Sequence, residues 1–159
     1  MDKLWWGVLM MLFDVRVVGF DILPDIVGII LIYLALTELE SCNEDFKNAK
    51  SLSLIVGIFI LIRFIFRSSL LFLTIEVIVT IPMIYFILNG VSDLLLSVGC
   101  NNISEKLMNY FRIYVVLTIC AIILRVLRSS VILSMTWIAI TVIAILMIVT
   151  FYKAKELVK

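Results

Sequence analysis

The chain has no histidine, only three cysteines and two prolines, and charged residues at just 16% of its 159 positions. Each scarcity excludes something. Without histidine the commonest metal ligand and the commonest general base are missing. Cys42, Cys100 and Cys120 are too few and too scattered for a disulfide scaffold or a zinc site. A net charge of +1 offers no cationic surface for nucleic acid. The chain also lacks G-x-S-x-G, H-E-x-x-H, a Walker lysine loop and C-x-x-C. The residues therefore predict no enzyme and no cofactor.

What the chain has is hydrocarbon. Hydrophobic residues make up 64% of it, and the mean hydropathy is +1.24. A soluble domain carries about 45–50% apolar and about 25% charged residues. A water-soluble fold of this length could not hide the excess. The fold class expected is all-α: a polytopic transmembrane helical bundle forming a single integral membrane domain over residues 1–159.

Taken in order, Leu4–Phe13 is apolar but only half a span long, against about 20 residues for a crossing. Trp5 and Trp6 suit a membrane–water interface. Their bulk and the absence of a small-x-small cleavage site argue against removal, so the segment reads as part of the mature protein. Gly19, Val17–Val18 and Pro24 favour a break after it, although a helix continued through residue 23 would make a full span. A helix then starts at Pro24, where the missing N–H costs nothing, with Asp21 and Asp25 at its positive end. Four further spans are expected over Leu52–Phe66, Leu70–Leu88, Tyr110–Leu127 and Val131–Tyr152. Residues 37–50 and 89–109 read as polar loops, Arg67–Ser69 and Arg128–Ser130 as tight turns, and the final KAKELVK as an exposed basic tail. The count is five spans plus an N-terminal half-span, or six if residues 4–23 cross.

Two stretches are alike. At an offset of 58, Pro24 matches Pro82 and Cys42–Asn43 matches Cys100–Asn101; at 61, Arg67–Ser68–Ser69 matches Arg128–Ser129–Ser130. The units, 24–69 and 82–130, each hold two spans, so a duplication would be parallel in the membrane. Similar hairpins imposed by similar hydrocarbon would read the same way.

This topology puts the tight turns and the Asp14–Asp25 stretch on one side. On the other lie the polar loops and the C-terminal segment, with Lys47, Lys50, Lys106, Arg112, Lys153, Lys155 and Lys159. The positive-inside rule leans toward a cytoplasmic C-terminus. On the turn side gather Asp14, Arg16, Asp21, Asp25, Arg63, Arg67, Arg125 and Arg128, with Glu76 deeper. Asp21 and Asp25 are four apart and share a helix face, as do Arg63 and Arg67. Arginine at a helix end can snorkel, whereas a carboxylate is too short and needs a partner or water. Two readings stand: anchors and ion-pair bridges between helices, or an ion, proton or anion site with Glu76 as its sharpest member. An aspartyl-protease or metal pair at Asp21 and Asp25 lacks the glycine-rich motifs it would need.

The opening LWWGVLMMLFDVRVVGFDILPDIVGIILIYLAL resembles the N-termini of a group of small, uncharacterised integral membrane proteins of Gram-positive bacteria. They share a G-x-D-I-L-P-D-x-x-G motif, matched here by Gly19, Asp21, Ile22, Leu23, Pro24, Asp25 and Gly28. The resemblance covers about the first 35 residues. It implies a bacterial plasma membrane location and brings no activity. The expected function is non-enzymatic: an accessory, assembly or regulatory module, with the lipid bilayer and itself or another membrane protein as partners. The alternative is a small transporter or channel using the Asp/Glu–Arg cluster.

Overall fold

The computed structural model describes residues 1–12, 22–66, 70–126 and 130–158. Helix residues bordering the breaks are described by their backbone alone. Among the described residues every element is helical: α1 (Asp2–Leu12), α2 (Ile22–Leu39), α3 (Glu44–Phe66), α4 (Leu70–Ser97), α5 (Asn101–Val126) and α6 (Ser130–Leu157). The all-α class expected from hydropathy is what the chain adopts. Among the described residues three helical segments are long and apolar enough to cross a membrane: Ile75–Ser97, Asn101–Leu124 and Ser134–Leu157.

Among the described residues that is three, where five were expected.

The chain divides into two compact units, Met1–Val91 and Ser92–Lys159, and the division falls inside α4. In the first unit α1 packs on α2 and α2 on α3. The α1–α2 contact is set by two glycines. A Cβ on Gly7 would stand 2.8 Å from the Gly28 carbonyl oxygen and 2.9 Å from the Ile32 nitrogen. One on Gly28 would stand 3.1 Å from the Gly7 carbonyl oxygen and from Met11. Backbone therefore meets backbone, the close approach small residues allow in apolar surroundings. Lys3 pairs with Glu38 at one end of this contact, and Met10 and Met11 meet Gly28 at the other. Thus α1 runs antiparallel along α2, beginning level with the C-terminal end of α2. Its 11 residues are half-span length, about 16 Å. The break expected at residues 14–23 lies almost wholly outside the described residues.

The buried seams repeat at alternating three- and four-residue steps. On α3 they are Phe46, Ala49, Ser53, Val56 and Ile60; on α6, Ile140, Ala144, Met147, Phe151 and Ala154. That spacing keeps one stripe facing a neighbouring helix. On α6 the opposite stripe of Met135, Ile138, Val142, Ile145, Val149 and Tyr152 is exposed and apolar. The hydroxyls of Thr136, Thr141 and Thr150 donate to the carbonyls of Ile132, Trp137 and Leu146, one turn back, at 2.8–2.9 Å. A threonine bonded this way shows its surroundings a methyl group rather than an unsatisfied hydroxyl.

The polar "loops" are mostly helix, which corrects the sequence expectation. Within these two stretches the turns are residues 40–43 and 98–100. Asn43 Oδ1 accepts from the Asp45 amide at 3.0 Å and caps α3 two turns earlier than hydropathy alone implied. Gly99, at φ 79°, ends α4; its amide donates to Leu96 and that of Cys100 to Leu95, a Schellman closure. The KAKELVK segment is also largely helical, with Ala154 and Lys155 buried rather than exposed.

Candidate functional site

Of the nine charged candidates, Asp14, Arg16, Asp21, Arg67 and Arg128 lie outside the described residues. The remaining four sit where their helices carry them. Asp25 is half-buried in the first turn of α2. Glu76 is half-buried in α4, and its Oε2 is enclosed by protein. Arg63 and Arg125 occupy the last turns of α3 and α5.

Helix register relates two of these. Ile29 of α2 packs on Gly57 of α3, where a Cβ would lie 3.8 Å from the Ile29 side chain. The two helices are joined by a four-residue turn and pack against each other, so they run antiparallel. Counting outward from that contact puts Asp25 level with Leu61, two residues or about 3 Å along the axis from Arg63. The first-unit hairpin thus carries an acid and an arginine at one end. Arg125 belongs to the second unit.

The opposite end of the first unit holds polar contacts that sequence reasoning did not find. Lys3 pairs with Glu38, and Lys50 Nζ donates to Glu40 at 2.7 Å while lying 5.5 Å from the Tyr33 ring centroid. Asn89 Nδ2 of α4 donates to Asp45 of α3 at 2.7 Å. Beside it the fully buried Phe46 ring covers Gly90, where a Cβ would stand 2.8 Å from ring carbons. The hydrogen bond from Lys3, and then its charge, hold the exposed Glu38 carboxyl below its ordinary 4.5. In the second unit Ser92 of α4 and Ser104 of α5, both buried, share a hydrogen bond at 2.5 Å. At the end of α6, Lys155 Nζ lies 4.8 Å from the Tyr152 ring centroid.

The Asn43 cap was legible as Asn-Glu-Asp ahead of a periodic stretch. The pairs 45–89 and 92–104 were not, because nothing in one sequence marks which polar residues of two distant helices will meet. Among the described residues no three His, Cys, Asp or Glu side chains converge to hold a metal ion. Comparison with models of protein families, with curated proteins and with solved structures finds no match.

Proposed function

We propose that this is a non-enzymatic integral membrane protein of the bacterial plasma membrane, an accessory or assembly module that associates with itself or with another membrane protein. The observation that carries the reading is the outward face of α6. Its exposed stripe from Met135 to Tyr152 is apolar, and its threonine hydroxyls are folded back onto the helix. Such a face fits lipid or the face of another membrane helix, and offers no reactive group. The N-terminal motif adds the bacterial setting. The lysines in the last turns of α6 favour a cytoplasmic position for the C-terminal end.

The test is biochemical. The protein should stay in the membrane pellet after alkaline carbonate extraction. Gentle solubilisation should bring down a stoichiometric membrane partner or a homo-oligomer. Release into the soluble fraction would sink the membrane reading, and a bare monomer would sink the assembly reading.

A second reading, a small transporter or channel, draws on the register of Asp25 beside Arg63 and on the enclosed oxygen of Glu76. It requires flux in proteoliposomes that Glu76→Gln or Asp25→Asn abolishes. A partner complex without flux under any ion or proton gradient would reject it.

A further inference from the structure

We infer that the outward face of α5 is the seam through which two copies of this chain pair side by side, in the same orientation, in the membrane. This pairing rests on the self-association reading proposed above and names the surface that carries it. Two sets of residues on α5 stand seven apart: Asn102, Asn109, Val116 and Ile123, and beside them Lys106, Ile113 and Cys120. All seven are exposed. Steps of four and three between the sets make one stripe, the spacing at which two helices interlock.

Depth decides what can cover this stripe. Helix α5 ends at Val126, α6 begins at Ser130, and the two pack on each other, so they run antiparallel. Counting 17 residues from each end puts Asn109 level with about Met147. There α6 exposes Ile145, Leu146 and Val149. An exposed carboxamide thus stands at a level where the neighbouring helix suits hydrocarbon. Among the described residues nothing in the chain pairs with its side chain. Lipid tails offer it no hydrogen bond; a carboxamide on a second helix does. Asn109 at the seam meets Asn109 of the second copy, which fixes register as a single asparagine does in paired helices. One turn nearer the polar end, Glu105 and Lys106 stand on either side of the stripe, both exposed. A two-fold axis along the seam sets each Glu105 against Lys106 of the second copy, giving two ion pairs. A lipid phosphate would satisfy the lysine and repel the acid, whereas the stripe is complementary in charge to itself.

Oxidative cross-linking of the full chain in its own membranes tests this. With Cys42→Ser and Cys100→Ser, Cys120 is the one remaining thiol, and copper phenanthroline should convert most of the chain to a covalent dimer. A thiol moved to the α6 face, Val142→Cys with Cys120→Ser in the same background, should not cross-link. Asn109→Leu should raise the dissociation constant of the pair, read by energy transfer between labelled copies in liposomes, by about threefold to thirtyfold. Glu105→Lys should weaken the pair too, and Glu105→Lys with Lys106→Glu should restore it. A dimer that cross-links through Val142→Cys and not through Cys120 would overturn the seam and leave self-association standing. A complex with a different membrane protein, without the Cys120 link, would overturn the seam and leave the assembly module standing. A Cys120 dimer indifferent to Asn109→Leu and to the charge exchange would overturn the polar pairing. A monomer throughout would overturn both the seam and the reading beneath it.

Discussion

The two helical hairpins α2–α3 and α4–α5 carry the same kinds of residue in nearly the same order, yet they are built differently. Pro24 stands in the first turn of α2, while Pro82, its match in sequence, stands in the interior of α4. A proline in the first turn of a helix costs no hydrogen bond; one in the interior removes one. The turns differ as well. In the first hairpin Asn43 is the cap and Cys42 lies in the turn, its amide donating to Leu39. In the second, Cys100 takes the cap position, its carbonyl accepting from Ile103 and Ser104, and Gly99 supplies the left-handed residue. The Cys-Asn likeness is thus out of step by one residue in the helices. Matched residue types do not secure matched roles, because a cap is defined by where the helix begins, and packing further along decides that.

The strongest test of this contrast is Phe46→Ala. Phe46 is fully buried at the start of α3 and lies on Gly90. Its loss should cost about 3–5 kcal/mol in detergent unfolding and release the first unit preferentially in hydrogen exchange. A change under 1 kcal/mol would mean that α4 is held elsewhere.

Next comes the glycine crossing of α1 and α2, which has no counterpart described in the second unit. Gly7→Ala forces the two backbones apart and should cost about 2–3 kcal/mol. Gly57→Ala, whose Cβ would find ordinary contacts at 3.8 and 3.9 Å, should be neutral or slightly stabilising. Equal effects at both sites would refute the close approach.

The second hairpin is sharpened by Ser92→Ala, expected to cost about 1–3 kcal/mol by leaving the buried Ser104 hydroxyl without its partner. Changing both serines to alanine should cost less than the single change, which a double-mutant cycle would show. Smaller again are the turns. Asn43→Ala should cost about 1 kcal/mol through loss of its cap. Gly99→Ala should cost about 1–2 kcal/mol, because alanine resists the left-handed conformation.

The smallest effect is a pH dependence. Glu38 is held below its ordinary 4.5 by Lys3, so this contribution is present above the unfolded value and is lost as pH falls through the lower folded one. Unfolding followed from pH 6 to about pH 3 should show a slight acid loss that Glu38→Gln removes. Being fully exposed, the pair adds little. An acid loss unchanged in Glu38→Gln would assign it to other carboxylates.

By itself the sequence determined that the chain is helical and apolar, because hydropathy and the shortage of charge leave few other ways to satisfy a backbone in hydrocarbon. It also marked the acids and arginines as costly residues, and Pro24 as a helix start. It misjudged most of residues 37–50 and 89–109 as loops, since polarity there reflects partners on other helices: Asp45 with Asn89, and Ser92 with Ser104. Only the tertiary structure decided that Gly7 and Gly28 are crossing points, that α1 lies antiparallel along α2, and that Phe46 of α3 covers Gly90 of α4. The reason is physical. Helix formation follows from local bonds and solvent, which one sequence encodes residue by residue, whereas a close approach or a cross-helix bond depends on two distant segments arriving in register.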